Sequence, residues 1–110
     1  MKVAQKLFCT AAVILYICSC TKQDPVICEE VTYAADVVPI IQTHCAISGC
    51  HVAGFTPGDY NQYIVLKQKV DSGTFQLLVL NLQTMPPDET LTENELDILQ
   101  CWVDAGAPEN

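Results

Sequence analysis

The sequence of 110 residues has no arginine, and its five lysines face thirteen acidic residues, for a formal charge of −8. Such a chain has no basic patch with which to displace phosphate counterions, which argues against nucleic acid as a partner and against docking on anionic lipid. It favours cationic or neutral partners, and the same negative charge also serves solubility. Long apolar runs are missing too. The longest, Leu7–Ile17, falls well short of the roughly 20 residues that span a bilayer. No internal repeat, low-complexity tract, phosphate-binding glycine loop, Ser-His-acid order or paired-carboxylate site stands out. Methionine and histidine are scarce: after Met1 there are only Met85, His44 and His51.

Lys2 and Lys6 precede the Leu7–Ile17 run, and small residues lead to Cys20, which is the layout of a secretory signal peptide. Its end, Ile17-Cys18-Ser19-Cys20, resembles the lipobox of bacterial lipoproteins, with Cys20 as the lipidated, mature N-terminal residue. Cys18 fits less well because bulky Ile17 would precede it, and the alternative is an ordinary signal that leaves Cys20 free. The resemblance implies a leader over 1–19, a tether over 20–32 and a domain over 33–110. It also implies a bacterial cell-envelope location facing the periplasm or exterior, with a lipid as the only membrane contact. Without the leader, Lys22, Lys67 and Lys69 remain against all thirteen acidic residues, a formal charge of −10. A domain this small is expected to need a staple or a bound cofactor.

The segment up to residue 32 is polar, contains Pro25 and lacks apolar periodicity. From Tyr33, the positions Val37, Ile40, Ile41 and Cys45 recur at helical spacing, with Asp36 as the expected cap and Pro39 in the first turn. Three glycines and Pro57 between Gly49 and Gly58 predict a loop. A second helix is expected from about Tyr60 to Val70, capped by Asp59 and stopped by Gly73. Phe75–Leu82 reads as a short helix leading into Thr84-Met85-Pro86-Pro87, where the prolines hold Met85 on an extended loop. The last helix carries Thr92 as cap, Glu95 in a capping box, Leu91 as a staple for Leu96, and Gly106 as its stop. Leu96, Leu99, Trp102 and Val103 form its apolar stripe.

The segment Cys45-Ala46-Ile47-Ser48-Gly49-Cys50-His51 resembles the c-type haem attachment motif, in which two thiols bind the haem vinyl groups and the adjacent histidine ligates iron. The usual motif has two residues between the cysteines. Here four intervene, so the extra residues must loop out, and Ser48-Gly49 supplies the flexible positions. The alternative is a Cys45–Cys50 disulfide with His51 incidental.

The stretch from about Tyr33 to Ala107 also resembles the class I cytochrome c family in its order: helix, motif, loop, middle helix, Met-Pro loop, terminal helix. Leu91-Thr92-Glu93 through Trp102-Val103-Asp104-Ala105-Gly106-Ala107 matches that family's ending, and Val38-Pro39-Ile40-Ile41 is similar to its small bacterial members. The resemblance implies a mainly α fold of three to five helices around one covalent haem c. It further implies thioethers at Cys45 and Cys50 and iron ligands at His51 and Met85. Pro57 is a weak counterpart of the family proline whose carbonyl orients the proximal imidazole. With no arginine, the haem propionates would rely on tyrosine, tryptophan, backbone or lysine donors, and Trp102 is expected in the core. The implied function is an electron carrier rather than an enzyme, with redox proteins as partners.

Five cysteines follow the leader: Cys20, Cys28, Cys45, Cys50 and Cys101. If Cys20 is lipidated and the motif cysteines hold haem, Cys28 and Cys101 remain as an even pair for one disulfide. Without haem, four cysteines pair in any of three ways. Three other readings stay open at this point. One is a haem-free binding or structural lipoprotein stapled by two disulfides, and another is a haem sensor or weak peroxidase with an open sixth site. The third is a bis-histidine or zinc site built from His44, Cys45, Cys50 and His51, although adjacent residues on a helix point in different directions.

Overall fold

Where the chain turns into its first helix, a threonine takes the capping role. In the computed structural model, which describes residues 23–110, the Thr32 hydroxyl accepts from the Ala35 N–H at 3.3 Å, and the Thr32 N–H donates to the Asp36 carboxylate at 2.8 Å. Asp36 is therefore the return partner of the cap and not the cap itself. The first stretch, Tyr33–Val37, is a wide π-helical turn that passes directly into α1, Val38–His44. Pro39 accounts for the wide turn: it has no N–H, and its ring would crowd the carbonyl four residues back, so the helix shifts to longer bonds such as Val38 N–H to Tyr33 O.

The second helix, α2, covers Tyr63–Asp71 and starts three residues later than its apolar spacing predicts. Asp59 does not cap it. Its carboxylate accepts from the Asn61 N–H at 3.0 Å and from the Asn61 amide at 2.9 Å, a local turn that competes with helix formation. Gly73, at φ +77°, ends α2 as expected. Gln76–Asn81 then forms a second π-helical turn, and α3 follows at Glu93–Asp104. The expected capping box is present: the Glu95 N–H donates to the Thr92 hydroxyl at 3.2 Å, and the Thr92 N–H donates to the Glu95 carboxylate at 2.8 Å.

The described residues are mainly α and contain no strand. The core lies where the first helical stretch meets α3. Trp102 is 1 % exposed, stacks on Tyr33 at 5.5 Å and meets the Phe75 ring edge-on at 6.4 Å. Leu66 of α2 and Leu99 of α3 are fully buried beside it. Leu96 is only half-buried and lies outside the core, so the stripe of α3 runs through Ile98, Leu99, Trp102 and Val103. Removing an aromatic of this size from such a core costs about 3–5 kcal/mol.

Residues 107–110 are fastened to the first helical stretch, α2 and α3. The Trp102 indole donates to the Pro108 carbonyl at 2.9 Å, the Tyr63 hydroxyl to Ala107 O at 2.8 Å, and the Tyr33 N–H to the Asn110 side chain at 2.8 Å. Cys28, in a short 3-10 turn, and Cys101 of α3 form a disulfide with Cα atoms 5.0 Å apart, which anchors the last residues of the expected tether to the domain. The expected leader over 1–19 and the expected lipidation site Cys20 lie outside the described residues. No described helix is long and apolar enough to cross a membrane.

Candidate functional site

Cys45 ends α1, and its carbonyl accepts the His51 N–H at 3.0 Å, closing the intervening residues into a loop. Ile47, Ser48 and Gly49 project to solvent at the tip, and Gly49 has φ +82°. The four-residue spacing thus loops out where the sequence predicts, and Cys45, Cys50 and His51 are held together at its base. The His51 carbonyl in turn accepts the Tyr60 N–H at 3.0 Å. That bond brings the Tyr60 ring flat against the imidazole, with centroids 3.8 Å apart and planes 12° from parallel.

These residues open onto a cavity of about 440 Å³. Phe75, Leu78 and Val79, from the second π-helical turn and the residue before it, supply apolar wall, and Phe75 ties that wall to Trp102. Met85 lines the same cavity. It is 39 % exposed and stands outside the core, so it does not serve as a gap-filler. Its N–H donates to Leu78 O at 3.2 Å, which fixes the loop to the cavity wall. Cys45, Cys50, His51 and Met85 therefore share one chamber, although 34 positions separate His51 from Met85.

The electrostatics of these groups differ. Burial pushes the Cys45 thiol up to about 12, helped by Glu89 and Cys50, so it stays protonated. Cys45 and Cys50 are both free thiols, and the Cys45–Cys50 disulfide does not form. Burial holds His51 below the usual imidazole range, the Gly58 backbone opposes that shift, and the Lys69 cation adds to it. Nδ1 of His51 is buried without a hydrogen-bond partner of good geometry. Pro57 lines the cavity, but it is the backbone of its neighbour Gly58 that acts on the imidazole.

His44, one residue before the motif, has a different task. Its Nδ1 meets Glu89 Oε1 at 2.8 Å and its Nε2 meets Glu95 Oε1 at 2.9 Å, so both ring nitrogens are taken. No group of three or more His, Cys, Asp or Glu side chains able to hold a metal ion occurs among the described residues. The zinc reading is therefore not assembled.

The donor set fits a covalently held haem in kind. Two uncommitted thiols, a neutral imidazole with an unsatisfied buried nitrogen, and one thioether face a mostly apolar cavity in the size range of cofactor pockets. Sequence spacing gives no sign of Tyr60 as the imidazole's stacking partner, of Lys69 as a wall residue, or of Glu89 with Glu95 as the His44 clamp. Only Glu95 carries a signal, as a capping-box residue. No family model, curated protein or solved structure matches this chain.

Proposed function

We propose that this chain is a lipid-anchored, mono-haem c-type cytochrome of class I type that passes single electrons outside the cytoplasm. The observation that carries the proposal is the convergence of Cys45, Cys50, His51 and Met85 on one apolar cavity while Cys28 and Cys101 are committed elsewhere. When bound, the haem supplies one-electron iron chemistry.

The protein's own residues do the rest. Cys45 and Cys50 offer the thiols for thioether bonds, and the closed loop between them keeps both at the cavity. His51, held neutral by burial, presents a nitrogen lone pair, and the Tyr60 ring limits its rotation. Met85 offers a thioether on a loop tied to Leu78. Phe75, Leu78 and Val79 give the chamber an apolar wall. Export supplies the oxidising compartment in which the Cys28–Cys101 bridge persists, and the acidic surface favours a cationic redox partner.

Alkaline pyridine spectroscopy of protein matured in a host with haem c assembly tests this reading. A covalent haem c spectrum is expected. Its absence, together with an intact mass showing two free thiols and no added haem, overturns the proposal in favour of a haem-free binding lipoprotein.

A further inference from the structure

The cavity is apolar along most of its wall, and besides His44, which Glu89 and Glu95 hold, one lysine reaches it. Lys69 lines the chamber from the last turn of α2, and its charge is felt at His51. Lys67, two positions earlier on the same helix, is committed to Asp71 in an ion pair, whereas Lys69 makes no ion pair among the described residues. Thr74, just past the end of α2, lines the same chamber. Its hydroxyl proton is already committed: Ser72 gives its single proton to the Lys69 carbonyl at 3.1 Å, so Thr74 donates to the Ser72 oxygen at 3.0 Å. An ammonium group without an anionic partner on a mostly apolar wall suits one ligand chemistry, a carboxylate.

The charge of the whole chain sharpens the point. A carboxylate entering a chain with thirteen acidic residues and no arginine meets an unfavourable field, so its ionised form requires a local cation. Lys69 is the only lysine at the cavity. On the haem reading above, on which this inference rests, we propose that Lys69 anchors a haem propionate and keeps it ionised. Lys69 is then a positioning residue for the haem, while its favourable place at the C-terminal end of α2 is a separate effect that changes stability alone.

The test uses the full chain matured with haem, as wild type and as Lys69→Met, Lys69→Arg and Lys67→Met, with the midpoint potential followed from about pH 5 to 8. In the wild type, Lys69→Arg and Lys67→Met proteins, the propionate stays ionised and contributes no pH dependence. In Lys69→Met its ionisation moves up by about 1 pH unit or more, and the potential falls with rising pH inside that window. Resonance Raman bands of the propionate bend shift in the same variant only. A Lys69→Met protein that matches the wild type in both readouts overturns the assignment while covalent haem is still seen. A chain that carries no covalent haem in any variant overturns the cytochrome reading itself, and this inference with it.

Discussion

Nε2 of His44 lies 2.9 Å from Oε1 of Glu95, and the second oxygen of the same carboxylate accepts the Thr92 N–H at 2.8 Å and the Thr92 hydroxyl at 2.9 Å. One side chain thus caps α3 and ties its start to the end of α1, where Cys45 begins the motif loop. Glu89, on the loop that carries Met85, closes the clamp from the other side of the imidazole.

The clamp sets a pH window for stability. The Glu89 bond raises the His44 pKa above 6.5; burial opposes this and Glu95 adds to it. Its contribution is fully present below about pH 6.5 and is lost as pH rises through the raised folded value. Burial raises the Glu95 carboxyl, but its bonds to Thr92 and His44 outweigh this and hold it below 4.5, so its contribution is lost as pH falls through the lowered value. Urea unfolding of the haem-free chain should therefore show greatest stability between these limits. His44→Gln should flatten the alkaline limb and cost about 1–2 kcal/mol near neutrality, modest because Glu89 is half-exposed. An unchanged alkaline limb in that variant would show that the clamp is not its source.

The Cys28–Cys101 bridge spans 73 positions and joins the segment just before the first helical stretch to the last helix. Replacing both cysteines by alanine removes a constraint on the unfolded chain and should lower the unfolding free energy by about 2–4 kcal/mol. Chemical denaturation of the double variant measures it, and on the proposed cytochrome reading a covalent haem spectrum should be retained when the variant is matured at low temperature.

Thiol labelling separates the two motif cysteines. Cys45 is 8 % exposed with its thiol pushed up to about 12, whereas Cys50 is half-buried. In the haem-free chain, iodoacetamide should modify Cys50 first at neutral pH, because the thiolate is the reactive form and Cys45 supplies little of it. Peptide mass mapping over time reads the order, and equal rates would contradict the buried placement of Cys45.

Replacing Met85 with alanine distinguishes a six-coordinate carrier from an open-site sensor or peroxidase. If Met85 ligates iron, the matured variant should convert to high spin and its potential should fall, since a thioether ligand raises it. A resting spectrum identical to the wild type would assign Met85 to the cavity wall alone.

Gly58 sits at φ +127°, and a Cβ placed there would lie 2.8 Å from Val65 Cγ1 of α2. Gly58→Ala should cost about 1–3 kcal/mol by combining a strained backbone with a side-chain clash. Because the Gly58 backbone acts on His51, the imidazole signals should also move in the NMR spectrum of the haem-free chain. A structurally silent alanine would mean that this loop yields freely.

Local rules make α3 legible from residue order alone. Thr92, Glu95 and Gly106 act within one or two turns, and their bonds form as the spacing predicts. The same holds for Gly73 at the end of α2 and for the bulging tip around Gly49. Apolar spacing also marks Tyr33, where the first helical stretch begins, but not its cap, which is Thr32 with Asp36 as the return partner. The start of α2 is not legible from apolar spacing, because Asp59 commits its carboxylate to Asn61 instead of to a helix end. There, side-chain bonding to nearby backbone outcompetes periodicity.

By itself the sequence determined the chemical inventory: a helical chain, two thiols beside an imidazole, one thioether next to prolines, further cysteines at 28 and 101, and little positive charge. Those properties belong to residue types and to spacings of a few positions, so they need no fold to be read. Only the tertiary structure decided that Cys28 pairs with Cys101, that His44 is consumed by Glu89 and Glu95, and that Met85, Lys69 and Tyr60 face the chamber of His51. Those contacts join residues far apart in the chain, and core packing around Trp102, with the C-terminal tail fastened to the helices, sets which of them meet.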